Sequence, residues 1–198
     1  MGADSETLDY YTDNADAYAQ RALQHVGEAP LAEFASRVPN GGAILDLGCG
    51  SGWAAAHFRN AGFAVTAIDG SQGLADAAAA RHGLTVTVAT FESLDADAEY
   101  DGIWASFCLL HDSRDAMPRH LFRLHRALRP GGHLYIGLKE GTGEHRDRFG
   151  RMYTYFGQDE MNANLLAAGF MDPEITAFQS PGMAGVEEPC LHIFARRD

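Results

Sequence analysis

Hydrophobic residues fall along the chain in two alternating patterns. Short continuous runs, bounded by glycine, proline or charged residues, read as buried strands: Ala43 to Leu47, Phe63 to Ile68, Tyr100 to Phe107 and His133 to Leu138. Thr85-Val86-Thr87-Val88 alternates polar and apolar β-branched positions and fits a further strand. Between the runs lie stretches with helical spacing. Trp53 to Ala61 is alanine-rich, and Gln72 to Arg81 follows a capping serine, Ser71. Met117, Leu121, Leu124 and Leu128 share one helix face, which Pro130-Gly131-Gly132 brings to a stop. Met161, Leu165 and Ala168 mark another helix, closed by Gly169. Ile175 to Phe178 and Leu191 to Ala195 read as two closing strands. Ahead of all of these, Glu6 to Gln24 reads as one polar, alanine-rich helix, and Leu31, Phe34 and Val38 as a short one ending at Pro39. Strands alternating with helices predict an α/β fold with a doubly wound sheet, helices on both faces, and ligands at the C-terminal ends of the strands.

The first strand carries the densest chemistry. Ala43-Ile44-Leu45-Asp46-Leu47 runs into Gly48-Cys49-Gly50-Ser51-Gly52, and a helix begins at once. Glycine permits positive φ and close approach of a ligand to the backbone. The helix start that follows offers unpaired N–H groups and the positive end of its dipole. The pattern is Gly-x-Gly-x-Gly, with Trp53 at the position where a dinucleotide fingerprint has its third glycine. A second apolar run ends in Asp69, about 20 residues past the glycines, where a carboxylate can accept both hydroxyls of an adenosine ribose.

At this point the sequence resembles the class I S-adenosylmethionine (SAM)-dependent methyltransferases. The first family motif is matched by Leu45 to Gly52, the second by Ala67 to Ser71, and a later family turn by Leu128-Arg129-Pro130-Gly131-Gly132. The resemblance spans roughly Ala43 to Gly169. It implies a Rossmann-like sheet of seven strands, mostly parallel, with an antiparallel C-terminal hairpin at the edge. It also implies one domain over residues 1–198: an N-terminal helical lid (1–40) and a SAM-binding core (41–198) whose substrate loop covers about 139–156.

The resemblance assigns roles by position. Gly48 and Gly50 approach the methionyl part of SAM, Cys49 between them belongs to the cofactor site, and Asp46 lies beneath the loop, ordering its backbone. Asp69 clamps the ribose, Gly70 and Ser71 line the adenosine, and Ser106 with Phe107 floor the sulfonium. Thr90 stands where many members carry an acid for the adenine amine, so Phe91 or its N–H takes that task. Tyr18 and Arg21 of the leading helix either touch the methionine moiety or pack the helix onto the domain. His111 follows the fourth strand and is the candidate general base, with packing of the loop as its other use. Arg146, Arg148 and Arg151 stand out in an acidic protein. A guanidinium fork matches carboxylate or phosphate, so a small anionic acceptor is one reading and a solvated charged loop the other. Tyr153 and Tyr155 wall the acceptor or belong to the core.

Composition narrows the classes. In 198 residues the formal net charge is −12, which argues against a nucleic-acid partner, since such binding relies on clustered Lys and Arg. No apolar run approaches a membrane span. Three scattered cysteines, Cys49, Cys108 and Cys190, read as reduced thiols of a cytoplasmic protein. His120 and His125 are off the facing register of a helix and no Cys/His cluster has ligand spacing, so no metal is expected. The function expected is transfer of a methyl group from SAM to a small molecule by in-line displacement. Two alternatives are a SAM-binding sensor or complex subunit without turnover, and a nicotinamide oxidoreductase, which Trp53 counts against. The acceptor, the atom methylated and the oligomeric state are not written in the sequence.

Overall fold

Five parallel strands form the centre of the computed structural model, which describes residues 4–21, 28–181 and 187–198. They are β1 (Ala43–Leu47), β2 (Ala64–Asp69), β3 (Val86–Val88), β4 (Tyr100–Ser106) and β5 (Leu128–Lys139). Further on come a small hairpin, β6 (Glu144–Arg146) with β7 (Met152–Thr154), and two long strands, β8 (Phe170–Pro181) and β9 (Glu187–Arg197). The main sheet has seven strands in the order β3-β2-β1-β4-β5-β9-β8, with β9 antiparallel to both of its neighbours. This is the Rossmann-like α/β architecture expected from the sequence. Strand order reverses between β1 and β4, and that reversal opens a crevice at their C-terminal ends.

Both faces of the sheet are covered, which is why its central strands are apolar on both sides. On one face α3 (Glu28–Arg37) and α4 (Trp53–Asn60) bring Leu31, Phe34 and Phe58 against Trp104, Tyr135 and Phe194. The Trp104 and Tyr135 rings stack at 3.8 Å. On the other face α6 (Met117–Ala127) and α7 (Gln158–Ala167) pack Leu121, Leu124, Met161 and Leu165 onto Leu45, Ile103 and Ile136. On the face of α4, and packed against it, α5 (Gln72–His82) follows β2, with Ser71 Oγ accepting from Leu74 N–H as its N-cap.

The N-terminal region differs from the single leading helix expected. It is broken into α1 (Ser5–Asp13) and α2 (Ala15–Arg21) at Asn14, whose backbone N–H and side-chain amide both cap the Tyr10 carbonyl. Among the described residues of this region, α3 buries Leu31 and Phe34 in the core, whereas Leu8 and Tyr11 of α1 and Tyr18 of α2 line the crevice.

Contact between α1 and α5 is close. A Cβ on Gly73 would overlap the Thr12 carbonyl, and one on Gly70 would lie 2.6 Å from Leu8 Cδ2. Gly73→Ala therefore forces α1 away from α5, a strain of about 1 to 3 kcal/mol. The expected outcome is faster amide exchange across α1 with exchange in β1 and β4 unchanged; equal protection of α1 in both proteins would contradict this packing.

The stretch after β5, expected as a substrate loop, holds the β6–β7 hairpin, with His145 paired to Tyr153. α6 stops at Ala127, and the chain bulges between Leu128 and His133 before resuming its pairing with β4.

Candidate active site

The loop after β1 is held flat against β2. Gly48 and Cys49 both donate to the Ile68 carbonyl, at 2.8 and 3.0 Å. Gly48 has φ +66, and a Cβ there would overlap the Cβ of Cys108, so neither the backbone angle nor the space admits a side chain. Gly50 N–H and Ser71 N–H each bond one oxygen of Asp69, at 2.7 and 2.8 Å. Burial raises the Asp69 carboxyl, and these two N–H groups pull it back down. Each oxygen keeps lone-pair capacity for a further donor, which is what a ribose diol requires.

Two adjoining cavities lie over this loop. The first is lined by Asp69, Gly70, Leu74, Ala89, Thr90 and Phe91 and roofed by Leu8 of α1. The second is lined by Asp46, Trp53, Lys139, Arg151, Tyr153 and Glu188. Gly48 and Gly50 face both, as do Ser106, Phe107 and His111 beyond β4, and Tyr11 and Tyr18 roof the junction. Cys49 lines the second. Phe107 sits at φ +53, a strained angle for a bulky residue, held by its N–H on the Gly137 carbonyl at 2.9 Å. Ser71 lines neither cavity: its hydroxyl is taken by the cap of α5 and by Thr12 Oγ1 at 3.0 Å. The Arg21 side chain lies outside the described residues.

Asp46, expected beneath the loop, borders the second cavity. It is buried, and its Oδ2 has no hydrogen-bond partner among the described residues. Burial pushes its carboxyl up to about 7, against the pull of the Ala55 N–H. In the unfolded chain the group stands near 3.8, so the folded state holds the proton more tightly between these values. The stability this contributes is present below 3.8 and lost as pH rises through 7. Asp46→Asn should therefore raise the melting temperature of the free protein at pH 8 and leave it near wild type at pH 4. The difference expected is a few kcal/mol, since each tenfold change in proton affinity is worth about 1.4 kcal/mol. An identical melting difference at both pH values would contradict it.

A hydrogen-bonded chain crosses from the lid into this cavity. His111 Nδ1 lies 2.6 Å from the Met152 carbonyl, so it carries the ring proton, and Nε2 accepts from Tyr11 Oη–H at 2.9 Å. Arg151 Nη1 donates to the same Tyr11 oxygen at 3.1 Å. Burial pushes His111 down to about 4, and the charges of Arg151 and Lys139 act in the same direction. The imidazole is neutral at neutral pH and can take up a proton through Tyr11.

The arginines distribute differently from the sequence expectation. Arg146 lines neither cavity; Asp4 at the start of α1 holds it with bonds of 2.6 and 2.9 Å, latching the lid to the hairpin. Arg151 does line the second cavity, but Asp147 holds its Nε and Nη2 at 2.9 and 2.6 Å. Tyr153, nearly fully buried, carries the Lys139 ammonium 4.0 Å above its ring.

Sequence reasoning does not single out Tyr11 or Glu188, and it reaches Lys139 only as the first residue of the stretch expected over the site at the C-terminal end of the fifth strand. His120, set aside with His125 as off the facing register of a helix, instead meets Glu92 and Asp112 from other segments, with its Nε2 2.7 Å from Asp112 Oδ2.

Residues 44–132 match the family model described as a methyltransferase domain. The chain is 35% identical over 134 residues to malonyl-[acyl-carrier protein] O-methyltransferase of Erwinia billingiae, covering 66% of this chain and 52% of that protein. It thus spans about half the length of the curated relatives it matches. Among solved structures it is similar to the Burkholderia thailandensis 1,6-didemethyltoxoflavin-N1-methyltransferase with bound 1,6-didemethyltoxoflavin and S-adenosylhomocysteine. That match has 28% identity and a TM-score of 0.77, and covers 98% of this chain and 86% of the other. A Haemonchus contortus phosphoethanolamine N-methyltransferase shares the fold at 16% identity and a TM-score of 0.76, over 96% and 60% of the two chains.

Proposed function

Because the chain belongs to the class I SAM-dependent methyltransferases, we propose that it moves the methyl group of SAM to a small-molecule acceptor held in the second cavity. The observation that carries this reading is the Asp69 clamp. One carboxylate ties Gly50 and Ser71 together at the strand-order reversal and keeps lone pairs for a ribose. Asp46 Oδ2, buried and unpartnered beside the glycine loop, suits the ammonium of a methionyl group. Thr90 and Phe91 wall the adenine end, Tyr18 covers Gly50, and Ser106 and Phe107 stand between the two compartments. Bound there, SAM would supply a sulfonium methyl whose carbon an acceptor lone pair would attack in line, the new bond to carbon forming as the C–S electron pair leaves with sulfur as S-adenosylhomocysteine.

The protein's own contribution is positioning and water exclusion. Holding the acceptor atom near its target in line can supply about 7 to 11 kcal/mol as effective molarity. Where the acceptor carries a proton, Tyr11 and His111 provide the route for its removal. The B. thailandensis enzyme binds 1,6-didemethyltoxoflavin together with S-adenosylhomocysteine, which supports a small-molecule acceptor here. No helix among the described residues is long and apolar enough to cross a membrane, and Cys49, Cys108 and Cys190 are free thiols, in keeping with a cytoplasmic setting. The reading is tested by following S-adenosylhomocysteine release by mass spectrometry while small acceptors are added. Acceptor-dependent release supports it. Binding of SAM with release that no acceptor changes would favour a sensor.

A further inference from the structure

We propose that the second cavity takes an uncharged, planar ring compound with a lactam or imide edge, its carbonyl on the Lys139 ammonium and its N–H on the Glu188 carboxylate. The inference rests on the methyl-transfer reading only for which cavity receives the acceptor.

Charge balance carries it first. Lys139 Nζ lies 2.7 Å from Glu188 Oε2, both groups line the cavity, and the side chains are 15% and 34% exposed. Arg151, the other permanently cationic lining group among the described residues, is held by Asp147 at 2.6 Å. An anionic acceptor seated on either cation would lie beside the carboxylate already paired with it, and a cationic acceptor on either carboxylate would lie beside its paired cation. A neutral molecule disturbs neither pair. Burying an unpaired charge here costs far more than a hydrogen bond returns.

Hydrogen-bonding capacity selects the edge. The Lys139–Glu188 contact uses one of three ammonium N–H groups and one of the carboxylate's acceptor positions. The pair therefore still offers strong donors beside strong acceptors. A carbonyl next to an N–H on a rigid ring meets both at once, with charge-assisted bonds on each side. Shape selects the plane. Phe107, Tyr11, Tyr18 and Tyr153 line the space with ring surfaces, and the Phe107 ring packs over Gly137 and edge-on to Phe178. Flat aromatic or conjugated rings gain most from such walls.

The test is a calorimetric titration of the protein, saturated with S-adenosylhomocysteine, by three probes. They are quinazoline-2,4-dione, a neutral bicyclic imide; its 1,3-dimethyl derivative, which has no N–H; and benzoate, a flat anion. We expect the dione to bind, and its dimethyl derivative to bind at least about tenfold more weakly, the loss of a charge-assisted hydrogen bond. Benzoate should fail to saturate up to about 1 mM. The Lys139→Met/Glu188→Leu double variant removes both charges together and should lose the dione at least about tenfold while retaining S-adenosylhomocysteine affinity. Benzoate binding in preference to the dione overturns the inference. So does equal affinity for dione and dimethyl dione, or failure of both to bind. Both of these outcomes are read on the wild-type protein, whatever the variant's stability. If S-adenosylhomocysteine does not bind but the dione does, with the same sensitivity to methylation, the methyl-transfer reading falls and the assignment of this cavity's ligand stands.

Discussion

Asp69→Ala is expected to weaken S-adenosylhomocysteine binding by at least about a hundredfold. The carboxylate bonds the N–H groups of Gly50 and Ser71, and its remaining lone pairs face the cavity lined by Thr90 and Phe91. Each charge-assisted bond to a ribose hydroxyl contributes about 1.5 to 3 kcal/mol, and two such losses together exceed the hundredfold mark. The variant also leaves two backbone donors of the glycine loop without their acceptor, so part of the effect is a displaced loop. The two parts separate with a cofactor analogue lacking the 2′-hydroxyl. Wild type should bind this analogue more weakly than S-adenosylhomocysteine, whereas the variant should scarcely distinguish the two, the signature of a direct contact. An affinity within about threefold of wild type would remove Asp69 from the cofactor site.

His111→Ala is expected to lower turnover by about 10² to 10⁴, the span attributed to a positioned acid or base, for an acceptor that loses a proton on methylation. S-adenosylhomocysteine affinity should change far less. Burial and the nearby cations hold the imidazole at about 4, so it is neutral and its Nε2 is available to Tyr11 throughout the neutral range. If Tyr11 and His111 act as one relay, the Tyr11→Phe/His111→Ala pair should be little slower than His111→Ala alone. Full turnover in His111→Ala on an identified acceptor would dismiss the relay and leave the residue as a support for the Met152 strand.

What the sequence revealed and what it hid follow from the distance along the chain over which each feature is built. The β1 strand, its glycine turn and Asp69 are neighbours in sequence as well as in space. Local patterning and the spacing of one acid therefore located the cofactor end. The lid is different. Asp4 meets Arg146, and Tyr11 meets Arg151 and His111, across 100 residues or more. The partner of Arg146 is Asp4, far along the chain, and the i,i+4 partner of Arg151, Asp147, is one of several nearby acids, so the sequence leaves an anion site and a solvated charged loop as equal readings. Lys139 and Glu188 meet only because β5 and β9 are antiparallel neighbours, a register the sequence does not print. The break at Asn14 is a capping choice that an alanine-rich helical stretch conceals.

A crystal structure of the protein with S-adenosylhomocysteine bound is the most direct test of the central claim. We expect the adenine between Thr90 and Phe91, the ribose hydroxyls on Asp69, the methionyl ammonium near Asp46, and the sulfur facing the cavity lined by His111 and Lys139. Adenosine seated in that second cavity, or no ligand density at saturating concentration, would contradict the assignment of both compartments.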